Sequence, residues 1–255
     1  MGAAHEFWLW PEPLSAPAGS STRLTLKVGE FFEGDPVPFA AQYAAALRRY
    51  SNGGVEDILK TSRLARPRGE LRLDLPQPGT HLLAYDSQPT AIILQADKFH
   101  AYLHDEGLDE IVARRVDAGT ASLPGRERYR RCVKSLVRVG EPDDTYAVRS
   151  GQRLEIVPLS DPLATDAGEP LAFRLLFDDQ PVAGRLVKAW HKRDGQTVVI
   201  RAYSDKSGQV SFNLPYRGGW MVSFVHMIAA TDSSAVDWDS FWGSITFELR
   251  GRFPA

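Results

Sequence analysis

Cysteine is nearly absent: Cys132 stands alone in 255 residues. An intramolecular disulfide is excluded, and so is a zinc cluster built on several cysteines. An excess of charge is lacking too. The 30 basic and 32 acidic residues leave a net charge of −2, which argues against a polyelectrolyte role on nucleic acid or an anionic membrane. No apolar run approaches the ~18 residues of a transmembrane helix. The chain has no nucleophile elbow, phosphate loop, H-E-x-x-H pair or dinucleotide fingerprint. What is present is the composition of an ordinary globular chain, 43% hydrophobic and 24% charged, long enough for one or two domains.

The most informative feature is repetition. Pro13-Leu14-Ser15-Ala16-Pro17-Ala18-Gly19 and Pro162-Leu163-Ala164-Thr165-Asp166-Ala167-Gly168 share proline, leucine, alanine and glycine at the same spacing. An alternating stretch follows each: Thr22, Leu24, Leu26 and Val28 in one, Leu171, Phe173, Leu175 and Phe177 in the other. A period of two marks strands with one buried face. A second block repeats in the same order. Leu71-Arg72-Leu73-Asp74-Leu75-Pro76 corresponds to Val210-Ser211-Phe212-Asn213-Leu214-Pro215, and each proline precedes a glycine, Gly79 or Gly218, by three residues.

These patterns predict a mainly β protein. The expectation is two immunoglobulin- or transthyretin-like antiparallel β-sandwiches from an internal duplication, over residues 5–95 and 151–250. Between them, 96–150 is expected to be a helical and basic connecting segment. Phe99, Tyr102, Leu103, Leu108, Ile111 and Val112 recur at helical spacing, interrupted at Gly107. The basic run from Arg126 to Lys134 leads into a further strand, Leu136 to Gly140. A short helix is expected over Ala40 to Tyr50.

Several constellations could carry chemistry. His100 and His104 share a helix face at i, i+4, but without a third ligand they read as a solvated pair. His81, inside an apolar strand, reads as structural. His226 closes an apolar strand, either as a core histidine or as a ligand at the strand end. If Ala3-Ala4 is the remnant of an export cleavage site, His5 opens the mature chain and offers both an amine and an imidazole, a nitrogen set that suits copper or nickel. Otherwise His5 simply opens the first strand. Arg126, Arg128 and Arg131 could fork onto an anionic ligand. In a nearly neutral chain, however, they are expected to make mostly structural ion pairs. Near the C-terminus, Asp237 and Asp239 interleave with Trp238, Phe241 and Trp242. Such a cluster could stack a sugar or hold a cation, or its aromatics could close a core.

Ala4-His5-Glu6-Phe7-Trp8-Leu9, Arg126-Glu127-Arg128-Tyr129, the stretches Lys134 to Gly140 and Leu154 to Leu159, His226-Met227 and Asp237-Trp238-Asp239-Ser240-Phe241-Trp242 carry a resemblance. The chain resembles a bacterial exported domain-of-unknown-function family often labelled NikM-like, the periplasmic component of cobalt/nickel transport. The resemblance implies a removed signal peptide, a periplasmic location and an immunoglobulin-like second half. His5 and His226 match the family's histidine positions. The leading expectation is a periplasmic binding protein for a divalent transition metal (nickel, cobalt or copper) or its chelate. His5, His226 and Asp237 would hold the metal, and a metal-uptake membrane transporter would be the partner. The alternative is a module for a carbohydrate or other organic ligand, using Arg126, Arg128, Arg131, Trp238 and Trp242. A third reading is a copper enzyme with an N-terminal histidine site. No nucleic-acid partner and no transmembrane segment are expected.

Overall fold

The computed structural model describes residues 5–62, 68–231 and 234–250. The strands in chain order are β1 (Glu6–Glu12), β2 (Ser15–Ala16), β3 (Ser20–Glu30), β4 (Glu33–Val37), β5 (Ala44–Ser51), β6 (Gly54–Asp57), β7 (Leu71–Leu75), β8 (Gly79–Ser87), β9 (Thr90–Leu94), β10 (Gly125–Val139), β11 (Leu154–Pro158), β12 (Pro170–Phe177), β13 (Gln180–Pro181), β14 (Leu186–Arg193), β15 (Gln196–Tyr203), β16 (Gln209–Asn213), β17 (Gly218–Ala229) and β18 (Trp238–Leu249). The helices are α1 (Ile58–Thr61), α2 (Ala96–Asp105) and α3 (Asp109–Asp117). None of the described helices is long and apolar enough to cross a membrane.

The chain is mainly β and forms three sheets, none of which closes into a barrel. One ten-stranded sheet runs β15-β14-β17-β18-β10-β8-β5-β6, with β2 and β9 also on β10. A small sheet of β1, β3, β4 and β7 covers one face, and a second of β11, β12, β13 and β16 covers the other. Strand alternation decides which residues meet which cover. Leu83, Tyr85, Val133 and Val137 pack with Leu9, Leu24 and Leu26 under the first small sheet. Leu82, Ala84, Cys132 and Leu136 pack with Ile156, Phe173 and Leu175 under the second.

The repeated blocks occupy matching positions. The Gly19 N–H donates to the Leu75 carbonyl at 2.9 Å, and the Gly168 N–H donates to the Leu214 carbonyl at 2.7 Å. Both glycines have positive φ, +79° and +89°, a backbone conformation that costs glycine little. β3 pairs antiparallel with β7 as β12 does with β16, and the two ladders keep the same register relative to those glycines.

The stretch 96–150 does more than connect. It supplies α2, α3 and the 15-residue β10, which joins the basic run and the expected 136–140 strand into one element. β10 pairs parallel with β18 from Glu127 to Ser135 and antiparallel with β8 from Leu136 to Val139. The large sheet is therefore continuous through both halves. The first small sheet also bridges them, since Ser244 and Thr246 of β18 donate to the Phe7 and Leu9 carbonyls of β1 at 2.8 and 2.7 Å.

One local expectation is corrected. Ala40 to Tyr50 is not a helix: Ala44–Ser51 is strand β5, held between β6 and β8. Alanine, leucine and arginine favour helix, but ladder pairing on both edges overrides that weak preference. The helical stretch after residue 96, expected to be interrupted at Gly107, is two helices, α2 and α3, with Gly107 between them at φ +65° where a Cβ would lie 2.7 Å from Leu186.

Candidate functional site

A cleft of about 500 Å³ opens where the first small sheet meets the large one. Its apolar wall includes Phe7 of β1, Val28 of β3, Val37 of β4 and Ile92 of β9. Its polar groups come from His5, Gln42, Gln88, Tyr129 and Arg131. The opening follows from a break in the sheet. β10 pairs with β9 from Gly125 to Tyr129 and with β8 from Leu136. Between these ladders, residues 130–135 of β10 face 83–89, which is one residue longer, so the second chain must bulge. The β8 end stays with β5 as far as Ser87, and the Arg131 N–H donates instead to the Ser87 Oγ at 3.0 Å.

Arg131 is the distinctive group of this wall. It is only 9% exposed. Its guanidinium carbon lies 4.5 Å from the Phe7 ring centre and 5.2 Å from that of Tyr129, a cation–π arrangement. Its Nη1 donates to the His5 carbonyl at 3.2 Å. It makes no ion pair among the described residues. Burial draws its pKa below the ordinary guanidinium value. Next to it, the Tyr85 hydroxyl donates to the Tyr43 carbonyl at 3.1 Å, and burial pushes its pKa upward.

The other residues singled out by the sequence lie elsewhere. Arg126 forks onto Asp237, with Nη2 to Oδ1 at 2.6 Å, and Arg128 forks onto Asp239 at 2.6 and 2.8 Å. These are structural ion pairs across the β10–β18 seam, so the two aspartates are not paired with each other. Arg131 is the exception because alternation turns it to the opposite face of β10 from Arg126 and Arg128. Trp238 and Trp242 are buried beneath α2 and α3 with Phe99, Tyr102 and Ile111. Trp242 stacks on Tyr102 at 5.5 Å. Neither tryptophan lines the cleft.

His5, His226 and Asp237 do not converge. The His5 imidazole pairs with Glu30 at 2.9 Å on the side of the first small sheet. His226 packs on Phe177 of β12, ring centres 4.5 Å apart, on the opposite face of the large sheet. Asp237 belongs to Arg126. Among the described residues no three His, Cys, Asp or Glu side chains gather as a metal site would require. Burial lowers the His226 pKa to about 4, helped by Arg185 and opposed by Asp178. His104, well exposed, pairs with Asp109 at 3.3 Å, and His81 is a core residue bonded to the Gln77 carbonyl at 2.9 Å. Met1–Ala4, which carry the export pattern, lie outside the described residues.

The residues that sequence reasoning missed are Tyr85, Ser87, Gln88 and Pro89. Their signal was Pro89 after an apolar run, because proline cannot donate to a ladder.

Fold and cleft together define a β-rich protein of stacked sheets with a ligand-sized opening at a sheet break. The chain belongs to the family described as domain of unknown function DUF4198, whose model matches residues 2–228. That description carries no metal and no transport role, so the cobalt/nickel label gains nothing from it. No curated protein matches the chain. Among solved structures, it is similar to a tetra-tandem repeat from the extending region of a large adhesion protein, with 9% identity and a TM-score of 0.25, covering 97% of this chain and 50% of that one. It is also similar to three N-terminal domains of the bacteriophage RB49 highly immunogenic outer capsid protein, with 9% identity and a TM-score of 0.21, covering 97% and 59%. The trypsin-activated alpha-2-macroglobulin of Escherichia coli follows at 13% identity and a TM-score of 0.22, covering 95% of this chain and 17% of that one. The chain thus spans only part of each of these structures, and likenesses this distant carry no argument.

Proposed function

We propose that the protein binds a small organic anion, a carboxylate on an apolar body, in the cleft beside Arg131. The observation that carries this reading is the guanidinium itself: buried, seated on two aromatic rings and in no ion pair among the described residues, with the buried Glu127 carboxyl acting on it only at longer range. A buried charge is costly unless paired, and a ligand carboxylate would supply the missing bidentate partner. Phe7, Val28, Val37 and Ile92 would cover the apolar body, while Gln42 and Gln88 offer orienting amides. A largely apolar cleft with a few convergent polar groups is the usual form of a small-molecule site. This reading keeps Arg131 from the organic-ligand alternative and drops Arg126, Arg128, Trp238 and Trp242.

The test is calorimetric titration of the full chain with benzoate and phenylacetate. Charge-assisted hydrogen bonds contribute about 1.5–3 kcal/mol, so Arg131→Gln should weaken binding by at least about tenfold. Equal binding by wild type and variant, or none by either, removes the reading. A second reading, a periplasmic carrier of a nickel-, cobalt- or copper-class ion as an organic chelate for a membrane transporter, is favoured by one observation: His5 lines the same cleft. It requires His5→Ala to weaken binding of nickel citrate more than binding of citrate alone.

We also infer that residues 5–95 and 151–250 are copies of one immunoglobulin- or transthyretin-like sandwich. The matching registers of β3–β7 and β12–β16 support this. Superposition of the halves should pair Gly19 with Gly168 and Pro76 with Pro215; any other pairing refutes it.

A further inference from the structure

The sheet break has a second side. Tyr85 points into the cleft described above, and Asp86, the next residue, lines a separate cleft on the opposite face. This second cleft, about 360 Å³, is walled by Arg48, Asp86, Arg130, Gln152 and Arg153, among others. Its lining has no aliphatic or aromatic wall: the apolar contributors are Ala45, Ala46, Pro89 and Cys132. An organic body would find nothing to cover it there.

The charge in this wall is one-sided. Arg48, Arg130, Arg131 and Arg153 contribute to it, against one carboxylate, Asp86. Arg153 is committed to Asp178, with both contacts at 2.7 Å. Arg130 reaches Asp239 only at 3.5 Å, and that carboxylate is already forked by Arg128. Arg48 makes no ion pair within 4 Å among the described residues, though it interacts with the Tyr50 hydroxyl and its charge acts on Asp57 and Asp86. Asp86 accepts from the Gln152 amide at 3.1 Å; burial raises the pKa of its carboxyl, opposed by the hydrogen bonds from Gln152 and Cys132 and by the charge of Arg48.

We propose that this second cleft binds a small oxyanion of the phosphate or sulfate class, held by Arg48 and Arg130. Guanidinium groups match the planar pairs of oxygens on such an ion. The site lies on the other side of the sheet break from the first cleft, and the two share Ser87 to Pro89 and Arg131.

The experiment is calorimetric titration of the full chain with inorganic phosphate and with sulfate at pH 7 and low salt. One saturable site is expected, and Arg48→Gln should weaken it by at least about tenfold. Ala45→Glu provides a second variant. Ala45 is exposed and falls at the register shift between β5 and β8, so a carboxylate there enters the cleft without disturbing a paired position, and it should abolish binding. Arg131 borders both clefts, but its guanidinium lies on the Phe7 and Tyr129 rings of the first, so Arg131→Gln should weaken phosphate binding less than Arg48→Gln does while weakening benzoate. No saturation by about 10 mM, or binding untouched by Arg48→Gln and Ala45→Glu, overturns the proposal. Loss of phosphate binding in Arg131→Gln alone assigns the anion to the first cleft and also overturns it.

Discussion

Glu6 and Glu127 are carboxyls inside the protein without a full complement of partners, and their titration should dominate the pH dependence of stability between pH 5 and 8. Glu127 is completely buried. Its Oε1 accepts from the Tyr102 hydroxyl at 3.2 Å and from Ser240, while its Oε2 has no hydrogen-bond partner. Glu6 sits near Glu106, which is itself paired with Lys188 at 2.8 Å. Burial raises each carboxyl from 4.5 to about 7, with Glu106 adding to the rise at Glu6. A carboxyl raised on folding leaves stability untouched below pH 4.5, where both states are protonated. Above that, the unfolded chain ionises first, and the penalty grows until the folded carboxyl ionises near pH 7. At about 1.4 kcal/mol for each tenfold change in proton affinity, each site costs about 3 kcal/mol at pH 8. His226 acts the other way: its pKa falls from 6.5 to about 4, so it removes about 2 kcal/mol as pH drops from 8 to 5. The net expectation is a protein about 3 kcal/mol more stable at pH 5 than at pH 8. Urea unfolding followed by tryptophan fluorescence at pH 5, 6, 7 and 8 measures this directly. In the Glu6→Gln, Glu127→Gln double variant the advantage at pH 5 should vanish or reverse, because the His226 effect remains. Wild-type stability that is flat or rising from pH 5 to 8, or a pH dependence unchanged in the double variant, would refute the reasoning.

Three further outcomes follow from particular contacts. Lys134 and Glu155 form a buried pair, so Lys134→Met should cost about 3–5 kcal/mol by stranding the carboxylate, and a compensating Glu155→Leu should recover much of that in chemical denaturation. Arg126→Ala should be the milder change because its pair with Asp237 is more than one-third exposed, whereas Arg128→Ala, which strips the buried Asp239 of its fork, should cost visibly more in the same unfolding series. Gly107→Ala should destabilise by about 1–3 kcal/mol, since the new Cβ would press on Leu186 from a backbone with positive φ, and a melting temperature equal to wild type would contradict it.

The sequence was legible where one rule dominated. Period-two burial located β3, β7, β12 and β16, and the positive-φ glycines Gly19 and Gly168 marked where β3 and β12 begin. Legibility failed where pairing partners decided the outcome. Ala44–Ser51 carries good helix formers and became a strand only because β6 and β8 flank it. The run Arg126 to Lys134 looks like a solvated charge cluster until strand alternation is applied. Alternation then puts Arg126, Arg128 and Arg130 on one face and Glu127, Tyr129 and Arg131 on the other. Applied to the sequence, that rule would have separated Arg131 from its neighbours. His5 and His226 do not meet because the large sheet lies between them, and nothing in the sequence shows that separation.

Both clefts have one local origin. β18 holds one edge of β10 in register from Glu127 to Ser135, so β10 cannot bend to follow its neighbour. On the other edge β8 stays with β5 through Ser87, and Pro89, lacking an N–H, cannot restart the ladder. The chain therefore leaves the β10 ladder after Leu82 and returns at Thr90. Closing that gap would require residues 83–89 to pair with residues 130–135, and one residue too many stands opposite them. A sheet that stays continuous on one side and must bulge on the other opens toward both of its faces at the same position. Alternation then assigns Tyr85 and Tyr129 to one opening and Asp86, Arg130 and Cys132 to the other, while Arg131 borders both. An apolar, aromatic cleft and an arginine-rich one thus arise back to back from a single register mismatch.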